Sequence, residues 1–182
     1  MIIKKFENFV LFLEKDSKMY EYGCLMVYLS LPNWNDFISK IDDSDLFETD
    51  NDRYGKETEP HCTILYGIHS DVSDDEVESL FEGLDKSDFD IEIQGIDCFY
   101  NKDYDVLKMN VVSNKLNDLN TLAKSLPYTS QYQDYKPHLT LGYLQKGKGS
   151  KYTDPTFTMS IDSIDKIVYS KPNGEKIDIF LS

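Results

Sequence analysis

The chain has 182 residues, and its 33 acidic residues against 19 lysines and arginines give a formal net charge of −14. Nonspecific binding to long nucleic acid depends on many basic contacts to phosphates, so this charge disfavours that function. No apolar run reaches the roughly 20 residues of a membrane span, and the N-terminus lacks a signal peptide's features. The three cysteines, without a CxxC spacing, argue against a disulfide framework and a zinc knuckle. We therefore expect a cytoplasmic protein without a membrane partner.

The start of the chain differs in pattern from the rest. Its apolar residues recur at helical spacing, at Phe6, Phe9, Val10 and Leu13. This pattern predicts an N-terminal helical extension over residues 1–21, followed by a single domain over residues 22–182. The extension is compatible either with covering the core or with contacting a partner.

The remaining chain alternates strand-like and helix-like segments. The expected strands are Gly23 to Leu31, His61 to Ile68, Phe89 to Tyr100, Tyr104 to Val112, His138 to Leu144, Thr156 to Tyr169 and Lys176 to Leu181. Helices are expected after Asn33, after Ser73 and from Lys115 onward. Ser73 and Glu76 form a capping box, and the acidic stretch from Asp42 to Glu59 is predicted to be a loop. The order indicates an α+β protein.

A short repeat is the feature that points to chemistry. The run PHCTI at residues 60–64 recurs as PHLTL at residues 137–141, each time in a segment of strand character. Alternate side chains of a strand share a face, so the histidine and threonine of each run project together from one surface. The intervening Cys62 and Leu139 then point the other way, into a core. Each run thus presents an imidazole and a hydroxyl while it is anchored from behind.

Two such strands facing one another would surround a phosphate with four polar side chains, which are the candidate catalytic residues His61, Thr63, His138 and Thr140. Because the unperturbed pKa of histidine is about 6.5, one ring accepts a proton at neutral pH while the other, protonated, donates one. The threonines would hold the nonbridging oxygens. Neither run has the ligand set of a zinc or magnesium site, so no metal and no cofactor are expected.

Two HxT motifs separated by about half a domain resemble the 2H phosphoesterase superfamily. That superfamily includes RNA 2',3'-cyclic phosphodiesterases, 2',5' RNA ligase-like proteins and enzymes that degrade 2',5'-oligoadenylate. The resemblance extends from about Gly23 to Leu181. It implies an α+β, bilobal fold in which two pseudo-symmetric antiparallel sheets surround a central cleft, with helices outside.

The second motif and the loop after it narrow this resemblance. The runs YKPHLTLGY at residues 135–143 and KGKGSKY at residues 146–152 are similar to those of phage anti-CBASS phosphodiesterases, which degrade the cyclic oligonucleotides that activate bacterial abortive-infection effectors. This implies a small cyclic di- or trinucleotide as substrate and a role in immune evasion in the host bacterial cytoplasm. The preferred nucleotides, the identity of the base histidine and the oligomeric state stay open.

Five further residues are candidates for substrate binding. Tyr28 has the parity opposite to the leucines of its strand and would stack on a base, and Lys108 alternates with apolar residues in the same manner. Lys136, Lys148 and Lys151 would supply a local positive potential beside the second motif. Each has a structural alternative, which is a rim tyrosine, a solvated sheet face or a flexible charged loop.

Three other residues near the motifs are assigned structural roles. Tyr66 and Tyr143 follow the motifs with the parity of the core residues, so they are expected to pack in the core. His69 is followed by several acidic residues, which would suit a metal site. Those acids also begin a predicted helix, where the dipole favours negative charge, and this second interpretation is preferred.

Two other functions remain compatible with the motifs. A phosphodiesterase for RNA 2',3'-cyclic ends or 2',5'-oligonucleotides would act on linear RNA, and the acidic balance of the chain counts against it. A nucleotide sponge would sequester a cyclic nucleotide without cutting it. Such a protein has no need for two imidazoles.

Overall fold

The structure is a computed structural model that describes residues 21–31, 33–48, 54–130, 132, 134–161 and 163–181. The helix predicted near the N-terminus lies outside these ranges. Eight strands and three α-helices are present among the described residues. In chain order they are β1 (Tyr22–Leu29), α1 (Trp34–Ile38), β2 (His61–His69), α2 (Asp74–Ser79), β3 (Ile91–Tyr100), β4 (Tyr104–Val112), α3 (Asn114–Ala123), β5 (His138–Gln145), β6 (Asp154–Ile161), β7 (Ile164–Ser170) and β8 (Lys176–Ile179).

The described strands form one antiparallel sheet in the order β6-β3-β4-β5-β2-β1-β7-β8. Its two central strands, β2 and β5, share a single register pair, Cys62 with Leu139. The sheet therefore consists of a first half, β2-β1-β7-β8, and a second half, β5-β4-β3-β6. In each half the motif strand pairs with the strand that precedes it in the chain. The expected α+β fold of antiparallel strands with outer helices is confirmed. The two expected sheets are the two halves of one continuous sheet, which meet edge to edge at their motif strands.

The main core lies on the face of the sheet that the helices cover. Leu25, Cys62 and Leu139 are fully buried there together with Leu116 of α3. The amide of Asn120 in α3 also donates a hydrogen bond of 2.7 Å to the carbonyl oxygen of a β2 residue. Apolar burial is the main favourable term in folding, so the packing of α3 on this face holds the helix against the sheet. The opposite face is left for polar side chains and one small apolar cluster of Met26, Tyr28 and Val168.

The single strand predicted over Thr156 to Tyr169 is wrong, because the chain forms two strands there. β6 ends at Ile161 and β7 begins at Ile164. β6 is the outer strand of the second half beside β3, whereas β7 pairs with β1 in the first half. The break between the two strands is visible in the sequence, because the apolar residues Ile161 and Ile164 are three positions apart, whereas apolar residues within a strand alternate at a spacing of two.

The predicted capping box at the start of α2 is confirmed. The backbone N–H of Glu76 donates to Ser73 Oγ at 3.3 Å, and the backbone N–H of Ser73 donates to Glu76 Oε2 at 2.9 Å. Asp74, Asp75 and Glu76 stand in the first turn of α2, as the helix-start interpretation requires. Asn33 occupies the position before α1, but its side chain makes no capping hydrogen bond.

The acidic segment before β2 runs along the second half of the sheet. It contains a 3-10 turn at Asp43–Asp45, and it pairs with β5 through the bridges Leu46 to Leu144 and Lys56 to Gly142. The predicted loop leads into β2 of the first half, but it is paired with β5, the motif strand of the second half. Among the described residues, none of the helices has the length and apolar character needed to span a bilayer.

Candidate active site

The two motifs lie side by side at the centre of the sheet, where β2 begins at His61 and β5 begins at His138. Cys62 and Leu139, which follow the histidines, are fully buried on the helix face. The histidine and threonine of each motif are half-buried, and by strand alternation they project from the opposite face, which is named the motif face. This matches the orientation predicted from the repeat.

The backbone holds both imidazoles in the same way. His61 Nδ1 lies 3.1 Å from the carbonyl oxygen of Glu59, and His138 Nδ1 lies 2.8 Å from that of Lys136. A carbonyl oxygen only accepts, so Nδ1 of each ring carries a proton and donates it. In the neutral imidazole this leaves Nε2 as the acceptor. The two rings thus have matching nitrogens available for proton transfer.

An aromatic ring packs against each imidazole. Tyr28 lies opposite His61 in the β1–β2 register, with ring centroids 5.5 Å apart. Phe99 of β3 meets the His138 ring edge-on, with centroids 4.9 Å apart. Tyr28 is 6% exposed and Phe99 is 36% exposed, so Phe99 presents more ring surface to a ligand.

A buried cation stands beside the second motif. Lys108 and Asn110 lie opposite this motif in the β4–β5 register, and Lys108 is 4% exposed. Its ammonium lies 4.5 Å from the centroid of the Phe99 ring, donates a hydrogen bond to Asn110 Oδ1 and lies 3.8 Å from a carboxylate oxygen of Asp97. Burial lowers the pKa of Lys108, which Asp97 opposes. In this register Lys108 shares the face of Thr140, and its part in substrate binding stays a prediction.

The surroundings of His138 favour its neutral form. Burial lowers the pKa of His138, while the hydrogen bond to the Lys136 carbonyl opposes this shift. The positive charges of Lys108 and His61 lower it further. A histidine that is neutral near physiological pH accepts a proton.

The first half carries its lysines around Tyr28. The ammonium groups of Lys166 and Lys176 lie 5.5 and 5.8 Å from the centroid of the Tyr28 ring. Lys176 also donates to the Tyr28 hydroxyl at 3.3 Å, and Lys166 pairs with Asp178 at 3.1 Å. Tyr28 is therefore covered by lysine side chains, which places two cations near the first motif.

A carboxyl group from the segment before β2 belongs to the surroundings of His61. The backbone N–H of Glu57 donates to the carbonyl oxygen of Leu141 at 3.0 Å, and its carbonyl oxygen accepts from Trp34 Nε1 at 3.2 Å. Burial raises the pKa of Glu57, and the positive charges of His61 and Lys176 oppose this shift. The side chain thus interacts electrostatically with the first imidazole.

A bulge at the same place in each motif strand changes which later residues reach the motif face. The pairing of β2 with β1 skips Ile64, and the pairing of β5 with β4 skips Leu141. Each skipped residue is three positions after its histidine, and a bulge shifts the alternation beyond it. Tyr66 and Tyr143 therefore share the face of the motif threonines, and the core-face parity predicted for them is wrong. The expected packing role is borne out for Tyr143, which is half-buried among other rings.

Tyr143 joins a cluster of rings at the edge of the second motif strand. Its ring meets Tyr54 edge-on with centroids 5.1 Å apart, and Tyr104 and Phe47 pack against the same group. Burial raises the pKa of Tyr143 to about 12, and the charge of Glu57 adds to this shift. The cluster and Glu57 are therefore neighbours on the motif face.

The three lysines predicted near the second motif occupy different surroundings. Lys136 is exposed and stands two residues before His138. Lys148 and Lys151 are ion-paired with Asp45, which is 3% exposed. The hydrogen bond from Lys151 lowers the pKa of Asp45 to about 2. These two lysines serve to compensate a buried carboxylate.

The loop that carries Lys148 and Lys151 is fixed on the helix face. Asp105 accepts two of its backbone N–H groups, at 2.9 and 3.1 Å. Asp105 and Lys108 lie three residues apart in β4 and so point to opposite faces. The structure does not bring Lys148 and Lys151 to the histidines, and we omit them from the proposed site.

Tyr135 connects the two motifs directly. Its hydroxyl donates to the carbonyl oxygen of Thr63 at 3.0 Å and lies 3.8 Å from Cys62 Sγ. Since Tyr135 stands in the segment that leads to His138, a side chain from the approach to one motif holds the backbone of the other. This contact supplements the single register pair between β2 and β5.

Sequence reasoning missed Glu57, Phe99, Lys166 and Lys176. None of them lies in a motif, and each reaches the site from a different part of the fold. Phe99 alternates with the buried Cys98, and this pattern could have placed its side chain on the motif face. The sequence around the other three residues contains no comparable pattern. Within the described ranges, no three histidine, cysteine, aspartate or glutamate side chains come together as a metal-ligand set.

Comparisons with known proteins identify a family and a similar fold. The family model of the 2'-5' RNA ligase superfamily matches residues 32–170, and no curated protein sequence matches the chain. Usb1 of Kluyveromyces marxianus, in a structure with uridine monophosphate, is similar at a TM-score of 0.54 and 9% identity, covering 88% of this chain and 98% of Usb1. TT0787 of Thermus thermophilus is similar at a TM-score of 0.49 and 14% identity, covering 87% of this chain and 97% of TT0787. At such identity the likeness to Usb1 shows the fold.

Proposed function

The chain belongs to the 2'-5' RNA ligase superfamily of 2H phosphoesterases, and from this premise we propose that it cleaves small cyclic oligonucleotides without a metal ion. Family membership supports phosphodiesterase activity. The cyclic substrate, and with it a role in phage evasion of bacterial immunity, is our proposal. The main support for this proposal is the pair of adjacent HxT motifs. The Nδ1 atom of each motif histidine is hydrogen-bonded to a backbone carbonyl.

The reaction follows from two imidazoles in different protonation states. One neutral imidazole removes the proton from an attacking 2'-hydroxyl or water, and a bond forms from that oxygen to phosphorus. The bond from phosphorus to the leaving oxygen breaks, and the second imidazole, as imidazolium, gives that oxygen its proton. Attack by the 2'-hydroxyl leaves a 2',3'-cyclic phosphate, whereas attack by water leaves a phosphate monoester.

The threonines are assigned to the nonbridging oxygens of the phosphate. Thr63 and Thr140 each lie two residues after a histidine on the same face, so their hydroxyls are placed to donate to a phosphate between the imidazoles. Lys108 lies opposite Thr140 in the sheet register and adds a positive charge there. Such donors stabilise negative charge that develops in the transition state.

Rings and local charge on the motif face support a small nucleotide substrate. Phe99 and Tyr66 are each more than one-third exposed, and they lie in different halves of the sheet, so each is placed to stack on a base. Lys166 and Lys176 supply a local positive potential within a chain of net charge −14. A substrate with few phosphates fits inside this field, whereas a long RNA extends over acidic surface. The nucleotide in the Usb1 structure is consistent with this substrate class.

The test compares substrates under metal-free conditions. Purified protein is incubated in EDTA with cyclic dinucleotides, cyclic trinucleotides, 2',5'-linked oligonucleotides and a linear RNA of about 20 nucleotides, which is long enough to leave the local field at a Debye length of about 8 Å. Products are resolved by chromatography, and His61→Ala and His138→Ala proteins serve as inactive controls. We expect kcat/KM to be highest for a cyclic oligonucleotide.

Other outcomes identify the alternatives. Equal or better turnover of linear RNA ends or 2',5'-linked oligonucleotides favours an RNA phosphodiesterase. Tight binding of a cyclic nucleotide without product favours a sponge. Activity that is lost in EDTA and restored by a divalent ion contradicts the metal-independent mechanism.

A further inference from the structure

We propose that residues 1–20 form an amphipathic helix that docks, within the same chain, on a groove between α2 and β8 at the outer edge of the first half. This groove is named the edge groove, and its lining includes Asp75, Glu78, Phe81, Glu82, Asp178 and Phe180. None of the four HxT residues lines it. The proposal is therefore independent of the proposed phosphodiesterase function.

The segment that precedes the described residues carries many apolar side chains. Eight of residues 2–13 are apolar, and they are Ile2, Ile3, Phe6, Phe9, Val10, Leu11, Phe12 and Leu13. All of them except Leu11 and Phe12 fall within about 120° of one side of a helix. An isolated helix of about 12 residues is marginal in water. The segment would thus form a stable helix only where its apolar side is buried.

The edge groove contains apolar surface that such a helix would cover. Phe180 is 90% exposed, the highest value among the large apolar side chains of the described residues. It lies in the groove beside Phe81 and Ile179, which are both buried in the main core. A helix seated there would extend the core outward. Removal of the Phe180 ring from water would favour docking.

The strand that borders the groove is an outer edge of the sheet. β8 is the last strand in the sheet order, and within the described ranges no strand pairs with its outer side. An edge strand presents backbone N–H and C=O groups that can pair with another chain, and folded proteins often cover it with a helix or a loop. A helix in the edge groove would protect β8 in this way.

Residues 1–20 leave the fold close to the groove. Cys24 of β1 lies in one row across the sheet with Ser170 of β7 and Lys176 of β8. The outer members of this row are two strand spacings apart, which is about 10 Å. An extended connection of seven residues spans about 23 Å. Residues 14–20 are therefore long enough to let the apolar part of the segment reach the edge groove.

Charge favours the same contact. The groove is lined by four carboxylates, which belong to Asp75, Glu78, Glu82 and Asp178, and the last of these is also paired with Lys166. Residues 1–20 contain four lysines against three acidic residues, in a chain of net charge −14. Complementary charge orients a contact and disfavours wrong partners. Lys5 borders the apolar side of the helix, where it would meet the carboxylates of the rim.

The first test measures amide hydrogen exchange in the whole chain. We expect the amides of residues 6–13 to exchange at least about tenfold more slowly than in a free peptide of residues 1–20, because a docked helix opens rarely. Phe180→Ser should remove this protection. Leu122→Ser is the matched control, because Leu122 is an exposed leucine on α3, and it should leave the protection in place.

Two results of this test would overturn the proposal. One is exchange in the unaltered chain at the rate of the free peptide. The other is protection that survives Phe180→Ser, since the helix would then be docked elsewhere. Thermal melting of each variant confirms that it is folded.

The second test exchanges the charges across the contact. Lys4→Glu with Lys5→Glu should reduce the protection of the segment, and adding Glu78→Lys with Glu82→Lys should restore it. Asp118→Lys, an exposed change on α3, should not restore it. Equal recovery with Asp118→Lys, or none with the groove pair, would refute the assignment of the segment to this groove.

A cross-linking experiment separates docking within the chain from docking on a second copy. A carbodiimide activates a carboxylate, so that a lysine at ion-pair distance forms an amide with it. We expect links from Lys4 or Lys5 to Glu78, Glu82 or Asp178. In a mixture of unlabelled and ¹⁵N-labelled protein, each linked pair should carry one isotope only. Pairs of mixed isotope would assign the groove to a second copy, and the absence of links would contradict docking there; either result would overturn the proposal.

Discussion

The two halves of the sheet present the same motif in different electrostatic surroundings. In both halves a histidine is tied by Nδ1 to a carbonyl two residues earlier, an aromatic ring packs on the imidazole, and a bulge follows the threonine. The buried cation of Lys108 stands beside the second motif, whereas the more exposed Lys166 and Lys176 surround Tyr28 beside the first motif.

This difference separates two kinds of information. The repeated motif gives both halves the same local arrangement, because strand alternation and the shared bulge are properties of the local chain. The charges around the two motifs differ, because charge at a site is the sum over every element packed around it.

The largest expected effect comes from the imidazoles themselves. His61→Ala and His138→Ala should each lower turnover of the natural phosphodiester by about 10²- to 10⁴-fold, the usual worth of general acid–base groups. The double variant should be little slower than either single one, because the two residues act as a unit. Steady-state kinetics on folded, purified variants check this, and near-normal turnover in either single variant contradicts the mechanism.

The threonines should show a smaller and unequal effect. Thr63→Val removes a hydroxyl donor and should lower kcat by roughly 100-fold, as the loss of one oxyanion donor does in other enzymes. Thr140→Val should cost less, because Lys108 lies opposite Thr140 and retains positive charge there. Measured kcat values test the order, and a larger loss at Thr140 would show that Lys108 does not reach the phosphate.

Aromatic contacts on the motif face should affect binding more than chemistry. Phe99→Ala and Tyr66→Ala should each raise KM by roughly tenfold, since stacking on a base contributes about 1–3 kcal/mol. Tyr100→Ala is the matched control, because Tyr100 is 62% exposed and pairs with Asp105 on the opposite face. If Tyr100→Ala raises KM equally, the effect is not one of base stacking in the site.

Replacing the lysines near the motif face and those in the loop after β5 should have different effects on substrate binding. Replacing Lys166 and Lys176 together with glutamine should raise KM several-fold and leave kcat nearly unchanged, as expected when uniform binding is removed. Replacing Lys148 and Lys151 with glutamine should leave KM unchanged. An increase in KM for the second pair would restore the sequence-based prediction that these lysines bind substrate.

The smallest expected effect on activity belongs to Asp45. Asp45→Asn should leave kcat/KM unchanged but lower the melting temperature at pH 7, because the buried side chain loses its ion pairs with Lys148 and Lys151. The folded pKa of Asp45 is about 2, below its ordinary 3.8, so its stabilising effect is present above that ordinary value and is lost as the pH falls toward 2. The gap in melting temperature between wild type and variant should narrow over this range.

Local patterns in the sequence determined much of the fold. The strands β2 to β5, the capping box of α2 and the orientation of both HxT motifs depend on contacts between residues a few positions apart, so periodicity predicted them correctly. The break between Ile161 and Ile164 left a change of spacing in the sequence, but the assignment of the two strands to different halves did not. A strand's partner is chosen by long-range pairing, which spacing along the chain does not encode.

The sequence by itself determined the arrangement of the candidate catalytic residues, because a repeated HxT in strands places two imidazoles and two hydroxyls on one face. Only the tertiary structure decided their surroundings. The bulges that bring Tyr66 and Tyr143 to the motif face, the pairing of Lys148 and Lys151 with Asp45, and the packing of Lys166 and Lys176 around Tyr28 each depend on residues distant in sequence. Charge and burial act through space, so the electrostatic surroundings of the two motifs follow from packing and not from the motifs themselves.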